Sequence, residues 1–129
     1  MRILLPPKKT CRRVYKLLTL FYNKEKNNKH MVNKTPFKHA LILLSNFYEL
    51  PIPKFKFRRS FGHQKCIGLC YESGLIELPY PYNYSITHES QNGCHHWIGI
   101  VFHEFGHYMM WSNTEIKAME YELKMLKRR

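Results

Sequence analysis

Residues 97–111, Trp-Ile-Gly-Ile-Val-Phe-His-Glu-Phe-Gly-His-Tyr-Met-Met-Trp, contain no Lys, Arg or Asp, and their only strongly polar side chains are His103, Glu104 and His107. So apolar a stretch reads as a helix that the fold must bury. Three ionisable groups go into the interior with it, and each is destabilising there unless hydrogen bonds or a metal ion satisfy it. The rest of the chain has to be arranged around this helix and supply those partners.

The flanking sequence offers helices on either side and a small sheet between. From Thr10, read as an N-cap, Val14, Leu17, Leu18, Phe21 and Tyr22 recur at helical spacing while Arg12, Arg13 and Lys16 take other faces, which predicts an amphipathic helix with a cationic side. Residues 23–35 are rich in Asn and Lys and read as a mobile linker. Thr35-Pro36 opens a core helix through about Glu49, and Pro51-Ile52-Pro53 ends it. Lys54–Arg58 alternates with period 2, predicting a strand with Phe55 and Phe57 inward. Segments 65–71 and 75–79 flank Glu72-Ser73-Gly74 as a hairpin. Residues 80–96 read as an irregular loop, and a last helix starts near Ser112. The expected fold class is α+β, with N-terminal helices, a small antiparallel sheet, the 97–111 helix and a C-terminal helix carrying glutamates. A basic helix and linker over 1–34 and a body over 35–129 are expected to form a single compact domain, since 129 residues suit one core.

Composition narrows the chemistry. There is no Asp among the nine acidic residues, which excludes Ser-His-Asp triads, aspartic dyads, EF-hand loops and Walker-B Mg²⁺ sites. No apolar run approaches the ~18 residues of a membrane span, and the apolar stretch at Ile3–Leu5 is too short for a secretory signal. An intracellular, cytoplasmic protein without a transmembrane segment is the expectation. The net charge of +12 is lopsided: residues 1–65 hold 16 Lys and Arg against 2 Glu, and residues 66–129 hold 5 against 7. The basic part, residues 1–65, suits an anionic partner such as nucleic acid or a membrane surface, or simply a well-solvated face.

On a helix, His103 and His107 project about 40° apart and can offer ring nitrogens to one metal ion. Glu104, about 100° round from His103, is placed to take a proton from water beside that ion. Random placement of 8 His and 9 Glu in this chain yields the HExxH pattern only about 0.03 times. A catalytic zinc site wants a third protein ligand, and no His follows His107. The candidates are Glu115, Glu122 and Glu120. On a helical wheel Glu115 and Glu122 fall inside an apolar arc that also takes Ile116, Ala118, Met119, Leu123, Met125 and Leu126, whereas Glu120 falls outside it beside Lys117 and Lys124. Glu115 also closes the capping box Ser112-Asn-Thr-Glu, so cap and ligand are both open to it. Tyr84, His88, His95 and His96, in the loop before the helix, are candidate donors to an oxyanion. Cys66 and Cys70, with Cys94 and His96, read as buried thiols or a structural zinc set.

The HEFGH helix followed by a helix of glutamates resembles the gluzincin metallopeptidases, particularly the minigluzincins and small phage-type peptidases, over about residues 66–126. The tail Glu115-Ile-Lys-Ala-Met-Glu-Tyr-Glu122 is similar to their E-x-x-A-W-E pattern, with Met119 in place of the aromatic. Thermolysin-like enzymes place a supporting acid four residues after the third ligand, and this chain has none there. The resemblance implies a minimal zincin-like fold binding one Zn²⁺. It makes His103, His107 and Glu115 the ligands, Glu104 the general base, and a peptide or protein the substrate, laid along a sheet edge near Leu75–Pro79. Two other readings stand beside it. One is a non-catalytic, basic, nucleic-acid-associated module with a structural or degenerate HExxH, and the other a protease acting on DNA-bound proteins.

Overall fold

The computed structural model describes residues 3–28, 33–58, 68–82, 97–110 and 115–128, with the backbone alone at Glu115. Its elements are α1 (Lys8–Glu25), α2 (Thr35–Phe47), β1 (Phe55–Arg58), β2 (Leu69–Cys70), β3 (Ile76–Pro79), α3 (Trp97–Met110) and α4 (Glu115–Lys127). This is an α+β fold, as the patterning predicts.

The helix ends obey local chemistry more than side-chain caps. Pro7, not Thr10, precedes α1: its φ of −56° and its carbonyl, which accepts from the Cys11 N–H at 3.0 Å, start the helix with no side-chain cap. α2 begins one residue early, with Lys34 as N-cap, Thr35 inside and Pro36 in the first turn. It stops at Phe47, where Glu49 takes φ 55° and the N–H groups of Glu49 and Leu50 return to the carbonyls of Asn46 and Ser45, a Schellman closure ahead of Pro51. Of the supposed linker, residues 23–25 complete α1. Buried Glu25 accepts from the Asn33 N–H at 3.3 Å, and residues 29–32 lie outside the description.

The sheet corrects the antiparallel expectation, because it is mixed in the order β1-β3-β2. β2 and β3 form the predicted hairpin, with Leu69 opposite Glu77 and Cys70 opposite Ile76. β1 runs parallel to β3, pairing Phe55 with Ile76 and Phe57 with Leu78. Period-2 alternation marks a strand but carries no information about direction. β3 is therefore central and buried along its length, so Leu75–Pro79 is not the sheet edge. Its buried acid, Glu77, on the face opposite Ile76 and Leu78, accepts from the Tyr71 hydroxyl and from Arg58 Nη1 at 3.4 Å.

One core joins all the helices to β1 and β3. At its centre the rings of Phe21, Phe37, Phe57 and Trp97 pack with centroids 5.1–6.4 Å apart. Trp97 also donates from Nε1 to the Pro79 carbonyl at 3.0 Å, which pins the start of α3 to the end of β3. α4 packs against α3, burying Ala118, Tyr121, Glu122 and Met125. The apolar arc read on its wheel is thus displaced: Ile116, Met119 and Leu123 are exposed.

A second polar cluster closes the far end. The Tyr48 hydroxyl donates to the Leu4 carbonyl at 2.8 Å and is hydrogen-bonded to the Tyr121 hydroxyl at 3.3 Å, while Arg128 Nη1 donates to the Pro6 carbonyl at 2.8 Å. Burial pushes the Tyr48 phenol up to about 12, and burial raises Tyr121 as well. The folded state therefore keeps protons that the unfolded state releases near pH 10.0. Stability is expected to hold below about pH 10 and to fall as the pH rises toward about 12. Urea unfolding across that range checks this. Tyr48→Phe should flatten the alkaline loss while lowering neutral stability by about 1 kcal/mol.

Candidate metal centre

α3 lies between α4 and β2, and its sequence decides what faces each. His103 is buried and turns to α4, where its Nδ1 lies 3.0 Å from Glu122 Oε1. An ionised carboxylate only accepts, so opposite Glu122 in that form Nδ1–H is the donor, and the contact fixes the orientation of the ring. His107 follows one turn later, half-buried, with ring centroids 5.0 Å apart and planes at 72°. The two imidazoles predicted to share a face therefore do so.

Glu104 is buried and turns the other way, toward β2. A Cβ on Gly68, the residue before β2, would lie 2.8 Å from Glu104 Cγ and 2.8 Å from the Glu77 carbonyl oxygen, so the chain passes the glutamate where a side chain would not fit. Cys70, on the same strand, has its thiol pushed up to about 11, first by burial and then by the negative charge of Glu104. At neutral pH it is a protonated thiol beside the carboxylate.

Of the three glutamates weighed as third ligand, the structure separates two. Glu122 is buried against His103, whereas Glu120 is exposed and paired with Lys124 at 3.0 Å, which places it on the solvent side. The side chain of Glu115 lies outside the described residues, as do Tyr84, His88, His95, His96, Cys66 and Cys94. Among the described residues no group of three or more His, Cys, Asp or Glu side chains stands in a metal-holding cluster. What they supply is a pair of histidines on one face and a carboxylate on the ring nitrogen of one of them. Metal-ligating histidines carry that feature in their supporting shell, and the two imidazoles are of the donor type that zinc takes.

Reading the sequence alone missed two residues. Gly99, one turn before His103, makes room for the acid: a Cβ there would fall 2.6 Å from Glu122 Oε2. Gly68 does the same for Glu104. For Gly99 the available signal was a glycine inside an otherwise strong helix, which is less favourable than Ala by about 1 kcal/mol and calls for a packing reason; Gly68, just before β2, gave no such signal.

Gly99→Ala is accordingly expected to lower stability by about 1–3 kcal/mol in chemical denaturation, despite the better helix propensity of Ala. In a Glu122→Ala background the same change should be tolerated. Equal losses in both backgrounds would show that the methyl does not meet Glu122.

No family model matches this chain, and neither a curated protein nor a solved structure matches it.

Proposed function

We propose that this protein is a zinc-dependent metallopeptidase of the gluzincin type, hydrolysing peptide bonds with one Zn²⁺. The observation that carries the reading is the His103–Glu122 contact. A buried imidazole held at Nδ1 by a carboxylate, one turn from a second imidazole and beside a buried glutamate, is the support that a catalytic metal site requires. His103 and His107 would hold the ion, with Glu115 as the third ligand. A zinc ion so held supplies Lewis acidity toward a carbonyl and a water whose pKa falls to about 7.

The remaining steps belong to the chain's own residues. Glu104 takes the proton of the attacking water and returns it to the leaving amine, a role its buried position beside β2 favours by keeping the carboxylate poorly solvated. Glu122 keeps the His103 ring aligned and its Nδ1–H engaged, which is the part the sequence reading assigned to no residue. Among the described residues β2 is the edge strand beside α3, and an extended peptide adding to it would pass Glu104.

Protein purified without chelator is expected to contain about one equivalent of zinc by elemental analysis. Glu104→Gln should keep the metal and reduce cleavage of an unstructured peptide by roughly 10²- to 10⁴-fold. Zinc titration of single Ala variants then sorts the glutamates. Glu115→Ala should weaken binding most, Glu122→Ala by roughly 10- to 100-fold, and Glu120→Ala not at all. Metal-free protein would sink the proposal.

A further inference from the structure

The exposed side of α1 is built against the interests of its own helix. Lys8, Lys9, Arg12, Arg13 and Lys16 are all exposed and fall within an arc of about 140°, opposite the buried Cys11, Val14, Leu18, Phe21 and Tyr22. Lys8 and Lys9 occupy the first turn, where the helix dipole disfavours cations, and no acidic residue is there to offset them. Lys8, Arg12 and Lys16 form one i, i+4 row and Lys9 and Arg13 another, so like charges stand next to one another. The only acid of α1, Glu25, is buried, and among the described residues none of the five cations is paired with a carboxylate. Nothing within the described fold accounts for this charge.

We infer that this face of α1 is a docking surface for the phosphate backbone of a nucleic-acid duplex. Steps of four residues place the cations of a row about 6 Å apart along a straight rod, a linear array of positive charge that can neutralise several of the closely spaced phosphates of a duplex. The face lacks exposed aromatic rings: Phe21 and Tyr22 are in the core, Tyr15 at the border of the cationic arc is half-buried against it, and Tyr71 on the hairpin is the one exposed large aromatic among the described residues. Single-strand binding rests on such rings for base stacking. A membrane-surface helix inserts an apolar wedge, and the apolar side of α1 is already packed in the core, with Leu20 its only exposed large apolar side chain. A cationic face without rings or an apolar wedge suits duplex phosphate better than either of these. This surface is independent of the peptidase reading.

The test is fluorescence anisotropy of the full chain with a labelled random DNA duplex of about 20 base pairs across a salt series from about 50 mM. Binding should fall steeply with salt. Arg12→Gln, Arg13→Gln and Lys16→Gln together should weaken it by roughly 10- to 100-fold at low salt and make the log–log slope shallower by about 3, with helix content unchanged by circular dichroism. Lys117→Gln, Lys124→Gln and Lys127→Gln together remove the same charge from α4 and should leave binding as it was. The inference is overturned by absence of duplex binding at about 50 mM salt. Equal losses in the two triple variants would overturn it too, as would tighter binding to a single strand or to phosphatidylserine vesicles than to the duplex.

Discussion

A helix buried along eleven of its fourteen residues must find a partner for every polar group it carries, and α3 carries His103 and Glu104 into the interior. The surrounding structure follows from that demand. α4 brings Glu122 to His103, β2 runs against Glu104, and the Pro79 carbonyl receives the indole N–H of Trp97. Rotating α4 by one residue would swing its contacts by about 100°. Leu123, now exposed, would replace Glu122, and the His103 Nδ1–H would lose its acceptor at a buried position. The hydrogen bond thus helps set the register between the two helices as well as the orientation of the imidazole, and Gly99, facing Glu122, and Gly106, facing Tyr121 and Ala118, leave the space in which they approach.

The division of charge between the two halves of the chain is not a division of the fold. Val14, Leu18 and Phe21 of the basic helix α1 belong to the same core as Trp97 and Phe102 of α3. The N-terminal segment is tied to α2 through Tyr48 and to the end of α4 through Arg128. The asymmetry is one of surface. α1 gives its apolar side to the core and turns its cations outward, which presents the charge without exposing the greasy face that would make it a membrane helix.

The site was legible in part, and the boundary has a physical meaning. His103 and His107 stand on one face because helical periodicity requires it, and two histidines in an uncharged stretch call for partners. Glu122 was legible as an acid in an apolar arc, but its partner was not, because the wheel gives angles about one axis and says nothing of which helix lies opposite. For the same reason the wheel's arc holds Ala118 and Met125, which are packed, together with Ile116, Met119 and Leu123, which are exposed, and leaves out the buried Tyr121. Similarly, alternation placed β1 and the hairpin without revealing that β1 runs parallel to β3. Gly68 and Gly99 carried no chemistry to notice, since their importance is the space they leave.

What the amino-acid sequence determined by itself is whatever depends on near neighbours. That covers the helices and strands through their apolar periods, the breaks at Pro7 and Pro51, the shared face of His103 and His107, and the concentration of positive charge before residue 66. Only the tertiary structure decided that β3 is the central strand, that Glu122 and not Glu120 meets His103, and that β2 runs beside Glu104. Those facts depend on contacts between residues distant in the chain. They are set by how several amphipathic faces can be buried at once around a helix that cannot leave its polar groups unpaired.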